Sequence, residues 1–440
     1  MKIKTDSNDH VVQMSEKTIG VVGLGYVGLP AAICFAEKYQ VIGYDINVNK
    51  VEALINGKDE TGEVTKEQLQ ETTCIFTTEA ENLRACDFIV VAVPTPLDQE
   101  NKPDLSYVKD ATKLIGRNMK QGAIVIYEST VYPGATEEIC LPLLEKESGL
   151  TIEMDFSIGY SPERINPGDK KNTFKTIGKV VSGYNEKTTK SIELLYASVL
   201  EAPVYRATSI KVAEASKVVE NTQRDINIAF MNELAMLFDH IGINTNDVLA
   251  ASRTKWNFHP FTPGLVGGHC ISVDPYYLIE KAEQMGYSPT FMKEARKINA
   301  FMPRFVIDKI KHYSQQQQIE LHQLSVNILG ITFKENVPDL RNSKTFEIVK
   351  GLRNLGAHVT ISDPHASGKE VMDIMGEPLI PFQSLPEAHI NLLAVPHLAF
   401  KDQITHSYKK LFVNDQGLMI DLKGFLSPEK FPDTIEWWTL

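Results

Sequence analysis

The chain has 440 residues, of which 43% are hydrophobic and 23% charged, so it is an ordinary globular protein, long enough for two or three domains. Its formal net charge of -11 argues against a nucleic-acid partner and against an anionic membrane surface, so local Lys and Arg side chains and helix N-termini have to hold any anionic ligand. The N-terminus has no apolar signal-peptide core and no later run approaches the roughly 18 apolar residues of a membrane span, which predicts a cytoplasmic protein without a membrane partner.

The first predicted unit is a strand, a tight turn, a helix and a second strand. The apolar run 19–22 leads into Gly23-x-Gly25-x-x-Gly28, and a helical stretch and another apolar run then end at Asp45. This glycine spacing allows the turn, lets the backbone approach a pyrophosphate and permits close helix packing. Asp45 would accept hydrogen bonds from the adenosine ribose and repel a 2′-phosphate, which predicts NAD rather than NADP. A glycine-rich turn without a ligand is the alternative, and the strand-to-helix context disfavours it.

Three further apolar runs each end in small, polar or Pro residues: ACDFIVVAVPTPLD, GAIVIYESTVYPGAT and DFSIGYSPERINPGD. A parallel sheet places the carboxyl ends of its strands, and its ligands, along one edge. Thr95, Glu128, Thr130 and Glu163 are therefore candidate site residues. For any one of them taken alone, a helix cap or a turn is the alternative role.

A long helix is predicted over 209–241, because this stretch contains neither Pro nor Gly. At 1.5 Å per residue it would be about 50 Å long, a length typical of helices that bridge domains or build dimers. Lys217 and Asn221 are four residues apart, so their side chains lie on one face and can converge on one ligand oxygen. A solvated lysine and a surface asparagine are the alternative.

The segment GLVGGHCISVDPYY places Cys270 after a Gly-Gly-His step and Asp274 four residues later. A thiol beside flexible backbone and an acid is either a nucleophile with its base or a buried sulfur beside a turn. The five cysteines of the chain are odd in number, scattered and without metal-ligand spacing. They indicate reduced thiols rather than a disulfide framework or a metal site.

The pattern restarts beyond a polar, low-complexity stretch around residue 313, which predicts a surface boundary. A strand, a loop, a helix capped by Asn342 or Ser343 and ended at Gly356, and a strand ending at Asp363 echo the first unit. This second α/β unit lacks the GxGxxG pattern, so a second dinucleotide is not expected there. Three basic residues could instead hold phosphates: Lys334, Arg341 and Lys423.

Taken together, these motifs resemble the UDP-glucose/GDP-mannose dehydrogenases over nearly the whole chain. The shared features, in order, are GLGYVGLP, VPTP, ESTVYPG, SPERINPGD, Lys217-x-x-x-Asn221, GGHC with the following Asp, and FKENVPDLRNS. The resemblance implies an α/β fold with two Rossmann-like, doubly wound parallel-sheet domains joined by a long central helix and a helical dimerisation segment. The expected domains are an NAD-binding domain (1–207), a central helical segment (208–312) and a UDP-binding domain (313–440). It also implies a homodimer.

The resemblance further implies roles for individual residues. The implied catalytic residues are the nucleophile Cys270, the water-handling acids Asp274 and Glu163, the pair Lys217 and Asn221, and Thr130. The implied cofactor-binding residues are Gly23, Gly25, Tyr26, Val27, Gly28, Asp45, Lys50, Pro94, Thr95, Thr130 and Arg341. The implied substrate-binding residues are Glu163, Arg164, Ile165, Asn166, Lys217, Asn221, Arg253, Phe261, Gly264, Phe333, Lys334 and Lys423. Arg253 is the nearest match to an arginine that the family brings from the partner subunit.

Such enzymes oxidise the C6 alcohol of a nucleotide sugar to a carboxylate, which requires two hydride transfers to NAD. The second transfer needs a tetrahedral adduct of the aldehyde, and Cys270 would form it as a thiohemiacetal. Asp274, assisted by Glu163, would activate the water that cleaves the resulting thioester. Lys217 and Asn221 would stabilise negative charge on the C6 oxygen.

Two motifs look like the branch of the family that acts on UDP-N-acetylhexosamines: SPERINPGD with Arg164, and VGGHCISVDPYY with His269. The sequence therefore favours a UDP-GlcNAc or UDP-GalNAc 6-dehydrogenase that feeds bacterial surface polysaccharide, or capsule, synthesis. UDP-glucose and UDP-ManNAc are alternative substrates. A one-step hydroxyacid dehydrogenase and a non-catalytic NAD-binding protein would also contain the glycine turn, but neither has a use for Cys270 together with a second nucleotide domain.

Overall fold

The computed structural model describes residues 16–165 and 171–440, which form two compact units. The first unit contains the chain up to Glu220 together with Tyr276–Tyr287, and the second contains Asn221–Pro275 and Ser288–Leu440. In the described ranges, no helix has both the length and the apolar character needed to cross a bilayer.

The first unit is built on a sheet whose described strands follow the order β3-β2-β1-β4-β5-β6-β7-β8. The strands are β1 Thr18–Val22, β2 Gln40–Tyr44, β3 Ile75–Thr77, β4 Phe88–Val91, β5 Ile124–Tyr127, β6 Ser157–Tyr160, β7 Lys179–Gly183 and β8 Val204–Arg206. Strands β1 to β6 pair in parallel, in the order 3-2-1-4-5-6 that is typical of dinucleotide-binding domains. This order confirms the predicted Rossmann-like domain. Strand β7 departs from the pattern, since it pairs antiparallel with β6.

Helices of the first unit connect these strands. They are α1 Gly28–Ala36, α2 Val48–Ile55, α3 Lys66–Glu71, α4 Ser106–Asn118, α5 Leu141–Ser148 and α6 Glu186–Val199, and a π-helical turn, Thr136–Cys140, precedes α5. Strand β4 is buried at every residue and β1 at all but its first. This burial explains why their sequences are continuous apolar runs rather than alternating ones.

The predicted long helix is present as α7, Ile210–Ile241, which begins one residue later than expected. Its 32 residues correspond to about 48 Å at 1.5 Å per residue. Lys217 and Asn221 are both buried on it, 7% and 1% exposed. The alternative of a solvated lysine and a surface asparagine is therefore wrong.

The second unit contains a fully parallel sheet in the order β10-β9-β11-β12-β13. Its strands are β9 Ser325–Leu329, β10 His358–Ser362, β11 Ile390–Leu393, β12 Gly417–Asp421 and β13 Ile435–Trp438. Counted within the unit this is 2-1-3-4-5, a doubly wound order, which confirms the predicted second α/β domain. The remaining helices of the described chain are α8 Thr245–Ser252, α9 Asp274–Gln284, α10 Thr290–Gln316, α11 Thr345–Asn354, α12 Gly368–Met375 and α13 Leu398–Ser407.

The predicted cap of α11 is wrong. The helix begins at Thr345 with Lys344 as N-cap residue, and no side chain caps it. Asn342 and Ser343 are occupied elsewhere, because the Asn342 amide donates to Gly268 O and the Ser343 hydroxyl donates to Thr332 O. The end of the helix is as predicted, since Gly356 follows it at φ 92°.

Candidate functional site

The turn after β1 has the backbone shape and the space of a dinucleotide site. Gly23 lies at φ 94°, and its N–H donates to Tyr44 O at 2.8 Å. A Cβ at Gly28 would lie 1.8 Å from Gly23 O, so α1 can begin here only with glycine. Among the described residues, no atom lies within 4 Å of a Cβ built at Gly25, so this side of the turn is open. The three positions therefore fit a pyrophosphate at the N-terminus of α1.

Asp45 is buried at the end of β2, beside the glycine turn. Its Oδ2 accepts the Leu24 N–H at 2.9 Å and the Lys50 ammonium at 2.8 Å, and its Oδ1 accepts the Asn47 N–H at 2.9 Å. A carboxylate oxygen has about two acceptor positions, so Oδ1 retains one for a ribose hydroxyl. The structure thus brings Asp45 and Lys50 together, as the predicted cofactor site requires.

The loops after β4 and β5 contain the next predicted cofactor residues. The Ser129 hydroxyl donates to Val93 O at 2.7 Å, and the Tyr277 hydroxyl donates to Thr95 O at 3.0 Å. These bonds fix the loops that contain Thr95 and Thr130 at the carboxyl edge of the sheet. The half-buried residues along this edge are Tyr26, Val27, Thr95 and Thr130, whereas Pro94 is exposed.

Glu163 lies after β6 in a buried ion cluster with Lys179 and Glu128. The Lys179 ammonium is 2.8 Å from Glu163 Oε2 and 3.1 Å from Glu128 Oε2. Burial opposes ionisation of Glu163, but Lys179 and the backbone N–H groups of Arg164 and Ile165 lower the pKa of this carboxyl below its usual value. Burial raises the pKa of Glu128 to about 7. Sequence reasoning selected both glutamates but missed Lys179, because only the antiparallel pairing of β7 brings it here.

Arg164 is held within the first unit. Its guanidinium is 2.8 Å from the Glu220 carboxylate on α7 and donates to Gly178 O at 2.7 Å. Ile165 packs against the hydrophobic core of the unit. Asn166, another predicted substrate residue, lies outside the described residues.

Three of the predicted catalytic residues meet in the second unit. The N–H of Asp274, the first residue of α9, donates to Cys270 O at 2.8 Å, so the thiol and the carboxylate are one turn apart. The Asn221 amide donates to Asp274 Oδ2, and Arg224 donates to the amide oxygen of Asn221. Asp274 is 2% exposed, whereas Cys270 is half-buried. The turn and α7 thus bring Cys270, the Asp274 carboxylate and the Asn221 amide into one part of the second unit.

The other thiols have a different environment. Burial raises the pKa of each to about 12, which leaves almost no thiolate at neutral pH. They are Cys34, Cys74, Cys86 and Cys140, all buried. Of the two roles open to Cys270 from sequence, the half-buried position favours the nucleophile.

The loop before Cys270 is packed closely on the second unit. Gly264 pairs with the buried Asn232 amide through two hydrogen bonds, its N–H donating at 2.7 Å and its carbonyl accepting at 3.0 Å. A Cβ at Gly268 would lie 2.8 Å from the Phe333 ring. The glycines therefore allow the loop to approach side chains that a larger residue would displace. Sequence reasoning missed Asn232, which lies 32 residues away in the chain.

A pocket in the second unit is lined by three lysines and by the start of α11. The lysines are Lys334, Lys344 and Lys423, and Glu335 is the acidic residue among the lining groups. The Lys423 ammonium donates to Pro263 O at 3.0 Å, and its pKa is lowered because the surrounding protein desolvates it. Several cations beside a helix N-terminus fit the diphosphate of a nucleotide.

Asp363 holds the loop that leads into this pocket. It follows β10 as Asp45 follows β2, but its carboxylate accepts the N–H groups of Ile331 at 2.7 Å and His365 at 2.8 Å and lies 3.0 Å from His397 Nε2. Burial opposes ionisation, yet His397 and these N–H groups lower the pKa of Asp363 to about 2. The carboxylate thus supports the protein's own loop.

Two predicted arginines have separate surroundings. The Arg341 guanidinium donates to both oxygens of Asp339, with a shortest distance of 2.6 Å. Arg253 is exposed directly after α8, and Phe261 further along is half-buried. The structure therefore assigns Arg341 an internal ion pair and leaves Arg253 accessible.

The chain matches the family models of the UDP-glucose/GDP-mannose dehydrogenases along most of its length. The NAD binding domain of the family matches residues 17–200, the central domain 211–301 and the UDP binding domain 327–428. The open glycine turn agrees with the first of these, so NAD is the cofactor.

Full-length relatives agree with this match. The chain is 48% identical to protein CapL of Staphylococcus aureus over 427 residues, 96% of this chain and 100% of CapL. It is 45% identical to the UDP-N-acetyl-D-glucosamine 6-dehydrogenase of Pseudomonas aeruginosa over 95% of this chain and 99% of that one. The solved structure of a UDP-D-ManNAc dehydrogenase from Pyrococcus horikoshii has a TM-score of 0.87 at 30% identity, over 96% of this chain and 98% of that one. The chain therefore belongs to the UDP-glucose/GDP-mannose dehydrogenase family, and it is an NAD-dependent UDP-sugar dehydrogenase.

Proposed function

We propose that the enzyme oxidises the C6 alcohol of a UDP-N-acetylhexosamine, UDP-GlcNAc or UDP-GalNAc, to the UDP-uronic acid. The observation that carries the proposal is the turn joining Cys270 to Asp274, with Asn221 hydrogen-bonded to the same carboxylate. Oxidation through a thioester requires a thiol, a base for water and an oxyanion donor. A one-step hydroxyacid dehydrogenase needs no such thiol, and a protein that only binds NAD needs none of the three.

Two NAD molecules, bound one after the other, would supply the hydride acceptors for the two oxidations. After the first oxidation, the Cys270 sulfur bonds to the C6 aldehyde carbon, and the thiol proton ends on the former carbonyl oxygen. Loss of hydride from C6, with the hydroxyl proton, then gives a thioester. Lys217 and Asn221 stabilise the negative charge that develops on the C6 oxygen in each step.

Water then cleaves the thioester. Its oxygen bonds to C6, one of its protons passes to Asp274, the C–S bond breaks and Cys270 leaves as the thiolate. Glu163 assists by accepting a hydrogen bond from this water. In this proposal Thr130 contacts the cofactor, and the pocket lysines Lys334 and Lys423 bind the diphosphate of the substrate.

The names of the relatives support an N-acetylated sugar. The two that are 45% and 43% identical to this chain, from Pseudomonas aeruginosa and Salmonella typhi, are UDP-N-acetyl-D-glucosamine 6-dehydrogenases. Three UDP-N-acetyl-D-mannosamine dehydrogenases, from Pyrococcus horikoshii and two strains of Methanococcus maripaludis, are 34–35% identical to this chain. UDP-ManNAc and UDP-glucose remain the alternative substrates. We place the reaction in the cytoplasm, which keeps Cys270 reduced, and its product in surface polysaccharide synthesis.

We also propose that the enzyme is a homodimer. Five apolar side chains on α7 are each about half exposed: Val212, Val219, Phe230, Leu237 and Ile241. Their spacing of 7, 11, 7 and 4 residues places them on one stripe of the helix. A second copy of the chain would cover this stripe. In such a dimer the exposed Arg253 is our candidate for the arginine that one subunit provides to the other's substrate.

The proposal is tested by following NADH absorbance with UDP-GlcNAc, UDP-GalNAc, UDP-ManNAc and UDP-glucose. We expect the first two sugars to give the highest kcat/KM and about two NADH per uronic acid formed. A higher kcat/KM for UDP-glucose would contradict the sugar assignment. A ratio of one NADH per product would contradict the two-step oxidation.

A further inference from the structure

Of the buried cluster around Lys179, only Glu163 has a role in the chemistry described so far. The Lys179 side chain is 3% exposed and contacts Glu163 and Glu128. The Tyr196 hydroxyl donates to the other oxygen of Glu128. The Lys179 ammonium lies 4.9 Å from the centroid of the Phe174 ring and 5.3 Å from that of the Tyr196 ring. Ion pairs this deeply buried add little stability compared with apolar side chains of the same volume, so their presence suggests a further function.

The reversed strand β7 explains how the lysine reaches this edge. Strands β6 and β7 pair Gly159 with Gly183 and Tyr160 with Ser182. Continued beyond β6, the same register sets Glu163 opposite Lys179, the first residue of β7. A parallel strand would instead present its carboxyl end here. Antiparallel pairing therefore delivers a cation to the edge where the first unit presents its site residues.

Lys179 and two backbone N–H groups together fix the orientation of the Glu163 carboxylate. From the described residues, Glu163 Oε1 accepts the N–H groups of Arg164 and Ile165, and Oε2 accepts the Lys179 ammonium. A carboxylate has about four acceptor positions, so one position on Oε2 remains. The side chain is 10% exposed, so part of it is accessible to solvent.

We propose that Lys179 is a positioning residue, which fixes the Glu163 carboxylate so that the remaining acceptor position on Oε2 can accept a hydrogen bond from the water used in the hydrolytic step. On its other side, Lys179 contacts the Glu128 carboxylate and the Tyr196 ring. The inference rests on the proposed thioester mechanism, and it gives Lys179 a role only in thioester hydrolysis.

The charges of the cluster agree with this role. Burial raises the pKa of Glu128 to about 7, whereas Lys179 lowers the pKa of Glu163 against the effect of burial. Below about pH 7 the cluster therefore holds one ammonium, one carboxylate and one carboxylic acid, with no net charge. The carboxylate belongs to Glu163, the group that the water needs.

The test compares thioester breakdown in Lys179→Met, Glu163→Gln and the double variant. Each enzyme is mixed with NAD and the UDP-sugar, and the Cys270 adduct is followed by intact-protein mass spectrometry. We expect each single variant to accumulate the adduct and to hydrolyse it about ten- to a hundredfold more slowly, as for loss of a charge-assisted hydrogen bond. The double variant should be no slower than Glu163→Gln. Lys175→Met, at a more exposed lysine paired with Glu37, is the control and should hydrolyse normally.

A pH profile gives the second readout. Lys179 lowers the pKa of Glu163, so Lys179→Met should move the acid limb of hydrolysis to higher pH, and Lys179→Arg should restore it. Equal slowing by Lys179→Met with and without Glu163→Gln would overturn the inference, because Lys179 would then act independently of Glu163. If Lys179→Met does not fold, the double variant, which loses one cation and one anion, is compared with Glu163→Gln by the same criterion. A wild-type enzyme that forms no NADH with any UDP-sugar would overturn the proposed function itself.

Discussion

The glycine turn offers a prediction that separates folding from cofactor binding. In Gly28→Ala the new Cβ would lie 1.8 Å from Gly23 O and 3.2 Å from the Ala92 methyl. Since real Cβ contacts are essentially never shorter than 3.0 Å, α1 or the turn has to move by roughly 1 Å. Overpacking of this kind costs about 1–3 kcal/mol, or about 2–12 °C in the Tm of the first unit.

Gly25→Ala is the matched control for this change. No described atom lies within 4 Å of its Cβ, so the free energy of unfolding should stay within about 0.5 kcal/mol of wild type. The added methyl nevertheless occupies the space where a pyrophosphate would approach the backbone, so NAD binding should weaken about tenfold or more.

Thermal unfolding of the NAD-free protein and calorimetric titration with NAD measure the two effects. Gly28→Ala should lower both the Tm and the affinity, whereas Gly25→Ala should lower the affinity alone. If Gly25→Ala binds NAD as tightly as wild type, the pyrophosphate does not lie at this turn and the inferred cofactor position is wrong. An unchanged Tm for Gly28→Ala would show that the turn has more room than the structure indicates.

Four other changes test separate parts of the molecule. Asp45→Ala should narrow the preference for NAD over NADP, and equal kcat/KM for the two cofactors in the wild-type enzyme would refute the assignment. Cys270→Ser should stop at or before a stable ester, seen as added protein mass, while near wild-type uronic acid formation by Cys270→Ala would rule out the covalent route. Lys217→Ala should slow both hydride transfers in stopped-flow NADH traces. Lys211→Ala, at an exposed position of α7, is the control and should slow neither. An effect of Lys217→Ala on one transfer only would contradict the oxyanion role. The pKa of Asp363 is about 2 in the folded protein and near 4 in the unfolded chain, so its carboxylate stabilises the second unit above about pH 4 and loses this contribution as the pH falls towards 2. The urea midpoint of unfolding of Asp363→Asn should therefore vary less between about pH 4 and 2 than that of the wild type.

Local patterns in the sequence predicted the parts of the fold that local physics determines. The GxGxxG turn and Asp45 were predictable because the glycine spacing and the end of the next apolar run both lie within about 30 residues of sequence. The long helix was predictable because it contains neither helix-breaking residue. Cys270 and Asp274 were predictable as neighbours because one helical turn separates them.

Interactions between distant segments could not be predicted in this way. Asn342 has a typical capping side chain, but its amide binds Gly268, 74 residues away, so a tertiary contact replaced the local cap. Lys179 looks like an ordinary strand lysine until the antiparallel register places it opposite Glu163. Asn232 has no signal in the sequence, although its amide supplies the two hydrogen bonds that a neighbouring strand would otherwise provide to Gly264.

The same distinction separates Cys270 from the four other cysteines. The four other thiols lie in strands, helices or their ends inside the core of the first unit, where burial raises each pKa to about 12. Cys270 instead follows Gly268, which has a positive φ of 80°, on a loop held at its far end by the Asn232 amide. A loop fixed in this way can expose a sulfur without losing its geometry, because hydrogen bonds to its backbone, rather than burial of the thiol, hold it in place. In the proposed mechanism, reactivity at Cys270 would follow from the placement of the loop, whereas burial keeps the thiols of the other four cysteines protonated.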